Sequence, residues 1–198
     1  QKVSTLSTQL TWSHYVELLK LNDNIKINYY ISICEQQNLS VRQLRERIKN
    51  KEYERLDEKT KYKLIKQEET KVDDFIKNPI IIKNNLNYEV ISEKALQKMI
   101  LEDIPAFLSE LGSGFTFIRN EYPIKIGNNY NYIDLLLYNI EFNCYVVVEL
   151  KITELKKEHI GQIEVYMNYI DKNLKNITQD KTIGIILCKK DNKFIMEY

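Results

Sequence analysis

Tyr132-Ile133-Asp134-Leu135-Leu136-Leu137-Tyr138 and Tyr145-Val146-Val147-Val148-Glu149-Leu150-Lys151 decide the fold of this 198-residue chain. Their aromatic and β-branched content reads as two strands, over 132–138 and 144–151. The link between them, Asn139-Ile140-Glu141-Phe142-Asn143, is too short for a parallel crossover, so the pair is expected to be an antiparallel hairpin. Each strand carries an acid where burial costs several kcal/mol unless something compensates it. With the tip at Glu141 and Phe142, Asp134 lies seven residues before the tip and Glu149 seven after it. The two acids are then directly opposite, with Cα atoms roughly 4.5–5.5 Å apart.

Two carboxylates in that arrangement repel, and a divalent cation held by both reverses the sign of the interaction. Lys151 follows Glu149 by two residues, so both side chains leave the same face of the strand. An ammonium there can orient an attacking water or stabilise charge building on phosphorus. A structural ion-pair network at a sheet edge would use the same three residues. The register and the accompanying sequence favour metal-assisted phosphodiester hydrolysis.

At these residues the chain resembles the PD-(D/E)XK, or restriction-endonuclease-like, nuclease superfamily. Asp134 fits the first acid of that motif and Glu149-Leu150-Lys151 its second half, with Ile133 where a proline is common. Gly161-Gln162-Ile163-Glu164-Val165-Tyr166 matches the Q-x-x-x-Y element of RecB-like branches, with Gln162 and Tyr166 on one helical face. A longer likeness, over roughly residues 8–198, is to the YhcG-like nuclease family. It runs through Leu10-Thr11-Trp12-Ser13-His14-Tyr15, Ser40-Val41-Arg42-Gln43-Leu44 and Tyr53-Glu54-Arg55-Leu56 in the first half. In the second it runs through Phe107–Phe115, the acid strands, Gly161-Gln162 and Ile183–Cys188.

The resemblance implies catalytic roles for Asp134, Glu149, Lys151 and Gln162. It implies Mg²⁺, with Mn²⁺ able to substitute, bound by Asp134, Glu149 and the Leu150 carbonyl. A third acid is expected from the first core helix. Glu93 and Glu102 are the candidates, Glu102 nearer the expected depth, and Gln97 stands where related chains carry an acid. The implied function is DNA cleavage in repair, recombination or defence against foreign DNA, with a homodimer suited to cutting both strands. The alternative is a non-catalytic nuclease-fold module that binds nucleic acid or a protein partner.

Composition fits one or two small folded domains: 43% hydrophobic and 29% charged residues. No apolar run reaches the roughly 18 residues of a membrane helix and no signal peptide is evident, so a cytoplasmic protein without membrane contact is expected. Cys34, Cys144 and Cys188 are unclustered, which argues against a zinc site or a disulfide framework. The first residue is not methionine and the last six read as a strand, so a nuclease domain truncated at its C-terminus is expected. Net charge is +1, but residues 1–87 carry +4 and residues 88–198 carry −3. The basic half is the better candidate for phosphate contact.

The expected fold class is mixed α/β: a small all-helical domain over 1–77, a linker over 78–91, and an α-β-β-β-α-β core over 92–198. Helices are expected at Trp12–Leu21, Ile25–Gln37 and Val41–Lys49, the last capped by Ser40, followed by a charged helix at Tyr53–Asp74. The helix pair around Asn38-Leu39-Ser40 is helix-turn-helix-like, and makes Arg42, Arg45 and Lys49 candidate DNA contacts. A plain helical bundle with solvated charges is the competing reading. A further helix spans Ser92–Gly112, interrupted at Pro105. Beyond it come a strand at Phe115–Ile126 with an irregularity over Asn120–Pro123, the hairpin, a helix over 157–171 and a strand over 182–188. His14 is expected as a helix-surface or core residue and His159 as a surface residue, neither with a companion at metal-ligand spacing.

Overall fold

The computed structural model describes residues 10–66, 68, 74, 76–84, 87–190 and 193–197. The chain divides into two compact units, Gln1–Thr70 and Lys71–Tyr198.

The first unit is helical: α1 (Trp12–Leu18), α2 (Asn24–Gln37), α3 (Val41–Lys49), a 3-10 turn at Tyr53–Arg55 and α4 (Glu58–Lys66). Polar caps set its boundaries. Asp23 accepts from Ile25 N and Lys26 N, so α2 starts there and α1 stops three residues short of the expected Leu21. Asn38 ends α2 in the left-handed region at φ 50°. Ser40 then caps α3: its Oγ accepts from Gln43 N at 3.3 Å while Gln43 Oε1 accepts from Ser40 N at 2.8 Å. The core gathers Leu18, Tyr30, Cys34, Leu44, Tyr53 and Leu56. His14 is part of it, with Nε2 2.8 Å from the Leu39 carbonyl oxygen. The charged helix expected over Tyr53–Asp74 is instead the 3-10 turn and α4, and the remainder of that range lies partly outside the described residues. Leu56, almost fully buried, breaks the helix with an extended backbone to reach the core.

The second unit is an α/β fold: α5 (Glu93–Glu102), α6 (Ile104–Leu111), β1 (Phe115–Ile126), β2 (Asn129–Asn139), β3 (Cys144–Lys151), α7 (Lys157–Asn173), β4 (Ile183–Lys190) and β5 (Lys193–Glu197). The strands form one sheet in the order β1-β2-β3-β4-β5. All neighbours are antiparallel except β3 and β4, which run parallel and are joined through α7. Asp103 separates α5 from α6. Its carboxylate accepts from Ala106 N at 3.1 Å, and Pro105 sits in the first turn of α6, where a missing N–H costs nothing. Gly112 ends α6 at φ 121°.

Alternation along the strands feeds two apolar layers. Val146, Val148 and Leu150 pack with Leu96, Ile100, Phe107 and Leu111 on the side of α5 and α6. Val147 packs with Ile163, Tyr166 and Ile170 of α7 on the other. Residues 78–91, expected as a linker, are partly built into this unit: Ile80 is 2% exposed in the first layer, with Ile82 and Ile91 packed against it. The apolar run Ile80-Ile81-Ile82 outweighs the breakers on either side of it.

Candidate active site

The hairpin register is the one the sequence reading requires. Leu135 pairs with Val148, Leu136 with Val147, and so on to Asn139 with Cys144. The tip is a four-residue connection centred on Glu141 and Phe142, which preserves the same equidistance. Asn139 closes it: its side-chain oxygen accepts from Glu141 N at 3.0 Å and Phe142 N at 3.1 Å. Asn143 supplies the left-handed residue, at φ 50°.

Toward the acids the ladder differs from expectation. Its last backbone pair is Leu135 with Val148, one step short of Asp134 and Glu149. The next hydrogen bond uses a side chain: Leu150 N donates to Asp134 Oδ2 at 2.8 Å. The first acid therefore reaches across the strand gap to hold the backbone beside the second. On its far side β3 continues in register with β4, Glu149 beside Ile186 and Lys151 beside Cys188, so its end remains fixed.

Glu149 is 2% exposed. Its Oε2 lies 3.2 Å from Lys151 Nζ, while its buried Oε1 has no hydrogen-bond partner among the described residues. Burial pushes the Glu149 carboxyl up to about 7, the Asp134 charge pushes the same way, and Lys151 opposes both. Asp134 is also raised, chiefly by burial, against the pull of the Leu150 N–H and Lys151. Burial disfavours the Lys151 ammonium, but the charges of Glu149, Glu93 and Asp134 outweigh it and raise its pKa. The cluster has two acids short of compensation and one cation to serve them. An uncompensated carboxylate oxygen at that depth is costly unless a proton or a cation reaches it.

The N-terminal half of α5 reaches this site. Gln97 Nε2 donates to the Asp134 carbonyl oxygen at 3.2 Å, and Glu93, one turn earlier, acts electrostatically on both Asp134 and Lys151. Glu102, the preferred third acid from sequence, is an exposed residue at the other end of α5, about 13 Å along the axis from Glu93. The side chain that could complete the acid set is therefore Glu93. The signal was available as the Glu93/Gln97 pair on one helical face.

On α7, Gln162 Nε2 donates to Tyr166 Oη at 2.9 Å. Tyr166 is 5% exposed, and its phenol feels the charges of Glu149, Lys151 and Asp134. Gln162 thus meets the acid cluster through Tyr166, its partner on the same helical face. His159 accepts from Lys156 N at 3.2 Å, a helix-capping role.

The candidate DNA contacts of α3 divide. Arg45 Nε is 2.8 Å from Glu17 Oε1, and Glu17 is held low by Lys20 first and Arg45 second. Arg42 and Lys49 are exposed. Among the described residues no group of three or more His, Cys, Asp or Glu forms a metal cage, and no helix is long and apolar enough to cross a membrane. Cys34, Cys144 and Cys188 are buried, and no disulfide joins them.

Comparison with known proteins places both units. Residues 73–198 match the family described as YhcG PDDEXK nuclease domain, and residues 1–55 match the DUF1016 N-terminal domain. The Escherichia coli (strain K12) protein named "Putative nuclease YhcG" is 27% identical over 194 residues, covering 95% of this chain and 52% of that protein. The chain thus spans about half the length of this curated relative. A solved structure, described as a repair endonuclease from Pyrococcus abyssi, aligns with 52% of this chain and 39% of its own at 22% identity and a TM-score of 0.37.

Proposed function

This chain belongs to the YhcG PDDEXK nuclease family, and from that premise we propose that it is a divalent-metal-dependent nuclease that hydrolyses phosphodiester bonds in DNA. The observation that carries the reading is the buried Oε1 of Glu149 beside Asp134, without a hydrogen-bond partner among the described residues. Hard oxygen donors of this kind suit Mg²⁺ or Mn²⁺. Asp134 and Glu149 would hold the ion, with the Leu150 carbonyl beside them and Glu93 as the third carboxylate. When bound, such an ion lowers the pKa of a water and polarises a phosphate oxygen.

The chain's own groups supply the rest. Leu150 N–H fixes the Asp134 carboxylate, so the first acid is positioned before any ligand arrives. Lys151, kept protonated by three carboxylates, offers N–H donors to an anionic phosphate oxygen or to the attacking water. Gln162 keeps the Tyr166 hydroxyl in place behind the acids. The test is a cleavage panel of duplex DNA, single-stranded DNA and RNA with Mg²⁺, Mn²⁺ or EDTA. The expected result is metal-dependent DNA cleavage by the parent and none by Asp134→Asn. Cleavage in EDTA, or by Asp134→Asn at the parental rate, would contradict the reading.

A further inference from the structure

The strand that carries the first acid begins as an exposed aromatic arm. β1 and β2 extend past the body of the sheet to a tight turn at Gly127, whose φ of 62° suits glycine. Ile124 and Ile133 on one face of this arm are fully buried in the α7 layer and anchor it. Tyr130 and Tyr132, two apart on the other face, are 65% and 57% exposed. In register, Tyr130 lies opposite Lys125 and Tyr132 opposite Pro123. Lys125 Nζ sits 5.9 Å from the centroid of the Tyr130 ring. Along the strand Tyr132 is about 7 Å, and Tyr130 about 13 Å, before Asp134.

We infer that Tyr130 and Tyr132 form a stacking platform that holds unpaired nucleotides of the substrate strand beside the acid site. The inference rests on the nuclease reading for the nature of the occupant and adds its form: single-stranded or locally unpaired DNA. Three observations select that occupant. Large aromatic rings are left in water, and every base offers a π-face to them. A lysine accompanies the first ring, so base and phosphate each find a partner. The run Asn128-Asn129-Tyr130-Asn131-Tyr132 carries only amide and phenol side chains up to Ile133, so the platform strand itself brings no charge that repels a backbone phosphate. The platform is also continuous, through a single strand, with the residue that would bind the metal.

The experiment measures fluorescence anisotropy of a labelled oligo-dT and of a blunt duplex of equal length, with the whole chain in EDTA. The double variants Tyr130→Ala/Tyr132→Ala and Tyr130→Phe/Tyr132→Phe are compared with the parent. The alanine pair is expected to lose about tenfold or more in affinity for the single strand and to bind the duplex as the parent does. The phenylalanine pair is expected to keep both affinities. Parental single-strand binding by the alanine pair, equal losses on both DNAs, or no single-strand binding by the parent would each overturn the platform. A change of oligomeric mass in the alanine pair without a change in DNA affinity would overturn it in favour of a protein-docking face. Cleavage by the parent in Mg²⁺ is read separately: its absence counts against the nuclease reading, while the anisotropy result still decides the platform.

Discussion

Glu149 concentrates the chemistry of this molecule in one carboxyl group. It is buried, faces a second acid, and has one ammonium to share with two other carboxylates. A folded-state pKa raised from 4.5 to about 7 means that the folded chain holds a proton the unfolded chain releases. The contribution to metal-free stability is then present below pH 4.5 and lost as pH rises through about 7. In EDTA, the parent should lose on the order of 2–3 kcal/mol between these limits through this group. Urea unfolding across pH checks it, and Glu149→Gln should flatten that part of the profile. Lys151→Ala removes the cation that pairs with the buried acid, the one such ion pair of Glu149 among the described residues. It should lower DNA cleavage by at least about a hundredfold, as loss of a charge-stabilising donor does. Initial rates in Mg²⁺ check it. At this scale the sequence made the two acids and the lysine legible, because acids in apolar strands are costly and stand out. Which of the two candidates, Glu93 or Glu102, approaches the acids was not legible, because depth along a helix depends on which end of α5 meets the sheet.

At the scale of elements, α7 closes one side of the site because β4 lets it approach. A Cβ at Gly184 would meet Met167 Sδ at 2.6 Å and Ile163 Cδ1 at 2.8 Å. Gly184→Ala should therefore destabilise the chain by about 1–3 kcal/mol through overpacking, measured by denaturant midpoint. The shift of α7 would also displace Tyr166 and lower activity more than binding of DNA. The hairpin was readable from its symmetry about Glu141 and Phe142. The splay beyond Leu135 and Val148 was not, because it arises where an Asp134 side chain replaces a backbone acceptor. The break between α5 and α6 was foreseeable from Pro105, and the cap at Ser40 from its spacing to Gln43. The irregularity of β1 was expected over Asn120–Pro123. The register shift lies earlier, between Phe117 and Arg119, with Glu121 at φ 46° as a second irregular point inside the expected range.

For the whole molecule, a helical domain over 1–77 and a linker over 78–91 were expected, and the chain divides into compact units at Thr70 and Lys71. What composition concealed is how much of the intervening stretch is core: Ile76 and Ile80 belong to the nuclease unit. The helical unit spends several basic side chains on its own acids, Arg45 on Glu17 and Arg47 on Glu52. Arg45→Ala should therefore lower the melting temperature of that unit only slightly and change DNA affinity little, by thermal melts and anisotropy. In the nuclease reading a cation is held between Asp134 and Glu149. Thermal unfolding of the whole chain in EDTA and in rising Mn²⁺ at pH 7.5 tests it most directly. The parent should gain about 2.7 kcal/mol at a hundredfold excess over the dissociation constant, and Glu149→Gln should gain little. Equal Mn²⁺ stabilisation of both chains, or none in the parent, would contradict it.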